Sequence, residues 1–224
     1  MNNRKPSFKR LPISKSVLKI PQYFSQIFKG KENHLAQVFK DTTDEKELEI
    51  KLRIFEILFR LNKRKKEPFG MLVVYNFNEN WFDKFCSFPD VSQNIFKDKK
   101  INILKTPLNE IVNIFSLTTD FDGAILINNK GLVLASGVFL ENIKAKEVAL
   151  NLNPQKAEDL SAAFGFKKKV HTRHLTAIAS SYVLKNTTVF VISEEDRSIR
   201  IFEKGRIIYS TIKGEVNDKA DSRK

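Results

Sequence analysis

The stretch Asp122-Gly123-Ala124-Ile125-Leu126-Ile127-Asn128-Asn129-Lys130-Gly131-Leu132-Val133-Leu134-Ala135 holds two short apolar runs around a tight turn. Residues 124–127 and 132–135 read as strands, and Asn128 to Gly131 are residue types that tolerate positive φ in a hairpin. Working outward, Met71 to Tyr75 is an uninterrupted apolar run bounded by Pro68 and Gly70 on one side, which predicts a buried strand. Three further strands are expected at residues 188–192, 199–202 and 206–210, with turns at 196–198 and 204–205. Between them lie helical patterns. Leu48, Leu52, Phe55 and Leu58, with Ile54, Ile57 and Leu61, recur at three- and four-residue spacing and predict an amphipathic helix from about Asp44 to Leu61. Thr42 followed by Glu45 reads as its capping box. Further helices are expected at 91–97, at 108–115 and from Thr172 to near Asn186, and a short strand at 101–104. Residues 141–165 read as loop with some helix. Helices interleaved with short buried strands indicate an α/β domain with a mixed β-sheet flanked by helices.

The 224 residues suffice for one such domain and an appendage. We divide the chain into a basic arm over 1–40, with a short helix around residues 23–28, a domain over 41–213 and a polar, frayed tail over 214–224. Net charge is +13 (39 basic, 26 acidic residues), which favours polyanionic partners. Residues 1–40 contribute Arg4, Lys5, Lys9, Arg10, Lys15, Lys19, Lys29, Lys31 and Lys40 against the single acid Glu32. A second basic run, Lys63 to Lys66, suits a helix C-terminus. A third, Lys167-Lys168-Lys169, precedes a further cationic motif. No apolar stretch approaches the ~20 residues that span a bilayer, and the N-terminus lacks a signal-peptide apolar region. Cys86 is the only cysteine, so a reducing, cytoplasmic setting is expected. With Phe85 and Phe88 beside it, Cys86 reads as a structural thiol.

Three short motifs carry candidate chemistry. Asp122-Gly123-Ala124 puts a carboxylate beside a glycine that admits close approach of a ligand. Taken alone it is a turn before a strand. Thr172-Arg173-His174 opens a helix, where free N–H groups and the dipole favour an anion and Arg173 adds a fork for phosphate oxygens. A capped helix start with exposed charges explains it as well. Ser193-Glu194-Glu195 ends an apolar strand and supplies paired carboxylates, or a solvated acidic turn. From Asp122 to Arg173 there are 51 positions (173 − 122), and from Arg173 to Glu195 there are 22 (195 − 173).

In this order the motifs resemble the diadenylate cyclase domain family, whose members condense two ATP into cyclic di-AMP. The resemblance runs from about Leu104 to about Ser210. It implies Asp122, Arg173 and His174 as catalytic residues. It implies Gly123, Ala124, Phe139, Leu140, Thr172, Ser193 and Glu194 as ATP contacts, with Phe139 and Leu140 around adenine. Asp122 and Glu195 would ligate Mg²⁺ or Mn²⁺. Family members commonly read Gly-Thr-Arg-His-Arg where this chain has His171 to Leu175, so one glycine and one cation are replaced. Glu141 stands where a proline is frequent, and Phe121 where some members have His.

The resemblance leads to a metal-dependent cyclase whose two nucleotides meet between two facing chains, hence a homo-dimer or higher homo-oligomer. Two alternatives stand beside it: a degenerate cyclase that senses ATP, and a protein that binds nucleic acid or an anionic membrane surface through residues 1–40. The latter would weaken steeply with salt and survive Asp122→Asn. The helix from about Asp44 is apolar over more than one stripe. It is expected to pack on its own domain; the sharper expectation is that it also meets a second chain and, with the arm, sets the oligomeric state.

Overall fold

In the computed structural model, Val38, Phe39, Thr42 and residues 44–216 are described; the expectations for the arm fall outside them apart from Val38 and Phe39. Helix α1 spans Glu45–Arg64. Its cap is Asp44, whose carboxylate accepts from the N–H groups of Lys46 (2.8 Å) and Glu47 (3.1 Å). The Thr42 capping box is thus corrected: the Thr42 hydroxyl instead accepts from Lys51 Nζ at 3.1 Å. Glu45 and Glu47 in the first turn and Lys63 and Arg64 in the last complement the dipole. Both apolar stripes of α1 are buried inside this chain: Leu48, Leu52 and Phe55 on one, Ile50, Ile54, Ile57 and Leu61 on the other. No apolar stripe of α1 is left for a second chain.

Strand β1 is Met71–Tyr75, buried throughout. A four-residue helix α2 (Phe82–Phe85) leads into β2 (Cys86–Ser87), then helix α3 (Leu108–Ser116), β3 (Ala124–Ile127) and β4 (Val133–Leu140). Helices α4 (Ala145–Leu152), α5 (Leu160–Ala163) and α6 (Thr172–Val183) precede β5 (Thr188–Ile192), β6 (Ile199–Glu203) and β7 (Arg206–Ser210). The seven strands lie in the order β2-β4-β3-β1-β5-β6-β7. Among the described strands only β1 and β3 pair in parallel, so the sheet is mixed as expected.

Alternate residues of the central strands face opposite layers. Met71, Val73, Tyr75, Ile125, Ile127, Phe190 and Ile192 join α1 and α3 in one apolar cluster. Leu72, Val74, Ala124, Leu126, Val189 and Val191 join α4 and α6 in the other. The central strands are buried on both faces, which is why they read as continuous apolar runs rather than alternating ones.

Several local expectations change. Residues 91–97 form only a 3₁₀ turn over Val91–Gln93, where the Asp90 carboxylate accepts from Ser92 N–H at 2.9 Å. Residues 101–104 contribute one bridge, Asn102 to Leu132, because the Asn102 side chain accepts from the N–H groups of Leu104 and Lys105 and turns the chain. Strand β4 runs on past residue 135, and β2 beside it has no counterpart in the sequence reading. The tail expectation fails at Glu215, which is 6% exposed and bonds Arg200 Nε at 2.8 Å.

Candidate active site

Leu72 of β1 pairs with Ala124 of β3, and Met71 with Ile192 of β5. Continuing those registers sets Gly70 beside Asp122 on one side and Ser193 on the other. Neighbouring strands stand about 4.8 Å apart, so the first and third motifs are separated by roughly 10 Å along one sheet edge. Ala124 also pairs with Val138 of β4, which brings Phe139 and Leu140 to the same end. Helix α6 begins there as well. A methyl group built on Gly70 would overlap the Arg173 guanidinium, so glycine at this position makes the room that arginine occupies.

Asp122 is exposed and makes no hydrogen bond or ion pair among the described residues. Gly123 behind it has φ +90°, and a Cβ there would come within 2.7 Å of the Val138 carbonyl. The backbone of β3 can therefore close against β4 at this point only with glycine. The cap residue of α6, His171, makes no side-chain cap hydrogen bond, which leaves first-turn N–H groups of Thr172 and Arg173 for an anion. Arg173 Nη1 lies 3.5 Å from Glu194 Oε2, and His171 Nε2 lies 3.1 Å from Glu195 Oε1. The cationic helix start and the acidic turn thus face each other, with both carboxylates more than half exposed.

Two of the expected residues lie beneath the edge. Ser193 is 2% exposed; its N–H donates to the Ser198 carbonyl at 2.9 Å and its side chain bonds Asp196. His174 is 5% exposed, and its Nε2 accepts from Arg200 Nη1 at 2.8 Å. Burial, reinforced by the Arg200 charge, lowers its pKa to about 4, so the imidazole is neutral with its proton on Nδ1. Arg200 continues to Ser198 Oγ (2.7 Å) and to Glu215 (2.8 Å). This buried ladder under the edge went unread because Arg200 sits in an alternating strand and Glu215 in an apparent tail. Phe139 is exposed at 42%, and Leu140 is half-buried against the α6-side layer. Cys86 is half-buried, and its thiol is pushed up to about 12, chiefly by burial, which removes it as a nucleophile.

Residues 60–207 match the DAC family, described as DisA bacterial checkpoint controller nucleotide-binding. The chain belongs to this diadenylate cyclase family. It is accordingly an enzyme of the diadenylate cyclase class, and the match reaches upstream of the sequence resemblance to the end of α1. No curated protein matches the chain. Among solved structures, a double mutant of DacA from Staphylococcus aureus is similar at 18% identity and a TM-score of 0.44, over 73% of this chain and 87% of that one. A hypothetical membrane spanning protein from Bacillus cereus is similar at 18% identity and a TM-score of 0.43, over 84% of this chain and 91% of that one. Among the described residues, no helix is long and apolar enough to cross a membrane.

The departures from the cyclase pattern have local explanations. Leu175 packs among the apolar residues of the α6-side layer, so its side chain serves the core. Glu141 donates its N–H to the Phe85 carbonyl at 2.8 Å, a bond that proline could not make, and its carboxylate accepts from Ser87. Among the described residues no group of three or more His, Cys, Asp or Glu is arranged to hold a metal. Asp122 and Glu195 are exposed carboxylates, a donor type that holds Mg²⁺ one or two at a time together with substrate phosphates.

Proposed function

We propose that this cyclase condenses two ATP into cyclic di-AMP at a site completed by two facing chains. Each 3′-oxygen forms a bond to the α-phosphorus of the opposite nucleotide, and each α–β bridging P–O bond breaks to release pyrophosphate. The observation that supports the reading is the convergence of Asp122, Arg173 and the Glu194–Glu195 turn on one sheet edge, set by the registers of β1, β3 and β5. Asp122, free of partners among the described residues, accepts the hydroxyl proton. Arg173 and the first turn of α6 hold phosphate oxygens and stabilise the charge that develops on them. Phe139, exposed at the end of β4, offers a face for adenine. His174, being buried and neutral, orients the start of α6 rather than moving a proton. Asp122 and Glu195 would hold the divalent cation, which neutralises phosphate charge when bound.

One such face binds one ATP, so the product requires a second face about a two-fold axis. The test is to incubate the purified protein with ATP and either metal across a dilution series. Cyclic di-AMP and pyrophosphate should appear, with specific activity falling as the protein is diluted. Specific activity independent of concentration in a chain shown to be monomeric would refute the shared site. ATP binding without product under either metal would refute the cyclase reaction.

A further inference from the structure

The turn that presents Glu194 and Glu195 is fastened to the end of α1 by two side chains, Arg197 of the turn and Asn62 of the helix. Arg197 has φ +56°, a conformation that a non-glycine residue holds only when its surroundings enforce it. Its guanidinium donates to the carbonyls of Asn62, Lys65 and Lys66, the last at 3.1 Å, and Nε meets Asn62 Oδ1 at 3.3 Å. Asn62 Nδ2 returns a bond to the Arg197 carbonyl at 2.7 Å. Inside the turn, Arg197 N–H donates to the Ser193 carbonyl at 3.0 Å. The same end of α1 also reaches the first motif: Lys65 Nζ pairs with Asp120 at 2.9 Å and with the Thr119 hydroxyl, just ahead of Asp122. A few residues on, Gly70 seats Arg173.

We infer that Arg197 is a positioning residue for the cyclase reaction: its fork on Asn62 of α1 and on Lys65 and Lys66 just past the helix sets where Glu194 and Glu195 stand relative to Arg173 and Asp122. The inference rests on the proposed cyclase reading. Capping α1 alone would also use the Asn62 carbonyl, since the last four of any helix lack partners, whereas Lys65 and Lys66 lie past its end. A cap, however, needs neither the left-handed backbone nor the return bond from Asn62, and both of these act on the turn instead. Displacing a catalytic carboxylate by about 1 Å can cost up to about a hundredfold in rate.

The test compares wild type, Arg197→Ala, Glu195→Gln and the double variant at 25 °C, each with its thermal midpoint. Arg197→Ala should lower kcat about tenfold or more, by a larger factor than it changes the KM for ATP. Its effect should largely vanish in the Glu195→Gln background, because neighbours acting as a unit are non-additive. Arg197→Lys, which cannot reach three carbonyls, should restore less than half of the loss. Wild-type kcat in Arg197→Ala, or losses that simply multiply in the double variant, would overturn the inference even if the thermal midpoint falls. If wild type makes no cyclic di-AMP, the cyclase reading itself fails. The clamp is then judged by calorimetry with a non-hydrolysable ATP analogue, where Arg197→Ala should weaken binding about threefold and unchanged affinity overturns it.

Discussion

The Arg173 guanidinium occupies the space that a side chain on Gly70 would fill. Gly70 lies just ahead of β1 and Arg173 in the first turn of α6, so the position of this guanidinium depends on the absence of one methyl. Gly70 is not in the left-handed region, and the neighbour it would strike is the far end of a flexible side chain. Gly70→Ala should therefore fold with a thermal midpoint within a few degrees of wild type. ATP affinity and turnover should fall about tenfold or more as Arg173 is pushed aside. Equal activity in the two proteins would show that Arg173 reaches phosphate from another rotamer.

Asp122 is exposed and unpartnered among the described residues, so its charge adds little to stability, and on the proposed reading it serves the chemistry. Asp122→Asn should leave stability unchanged to within about 0.5 kcal/mol while abolishing cyclic di-AMP formation. Residual turnover within tenfold of wild type, measured under saturating metal, would move the base or metal ligand elsewhere.

The buried His174 makes stability depend on pH. Its folded pKa of about 4 lies below the unfolded value near 6.5, so the unfolded chain binds the extra proton first. Stability should be complete above about pH 6.5, fall as pH drops toward 4, and lose on the order of 3 kcal/mol over that window. For Glu215, burial is outweighed by donation from Arg200 and Ser210, which leaves its pKa below the usual carboxylate range. Its contribution is lost as pH falls below the unfolded carboxylate value, extending the decline. Urea melts at stepped pH check this, and in His174→Asn the decline between pH 6.5 and 4 should shrink markedly.

Leu175 stands where the family pattern carries a cation, and it is packed into the α6-side layer. Leu175→Arg should destabilise by about 1–3 kcal/mol through lost apolar burial and should not raise ATP affinity. Tighter ATP binding in that variant would mean that the position faces the nucleotide after all.

The parts of this fold that were legible in sequence are those whose signal is local. Met71–Tyr75 and Thr188–Ile192 are buried on both faces, so their apolar runs stand out, and α1 and α3 carry unbroken helical periodicity. Strand β2 is two residues long and exists only because β4 offers it a partner. Residues 101–104 have strand composition, but the Asn102 side chain takes the backbone donors that a strand would use. For the candidate site, the motifs name the residue types at the edge. They could not indicate that His174 sits below it beside Arg200 and Glu215, distant in sequence and unremarkable in type, or that Ser193 is buried against Ser198 and Asp196 of its own turn.

The registers around β1 have a consequence for when activity can arise. Gly70, Asp122, Phe139, Arg173 and Glu195 reach one edge from segments spread over most of the chain, and β1 separates β3 from β5. Such pairing has high contact order, and its long loops must close before the contacts reward them. During synthesis, a ribosome-bound chain that has exposed β1 through β4 presents Asp122 with neither the arginine nor the acidic turn. On the proposed reading, a competent face therefore forms only in chains made and folded past β5, through the turn that carries Glu194 and Glu195.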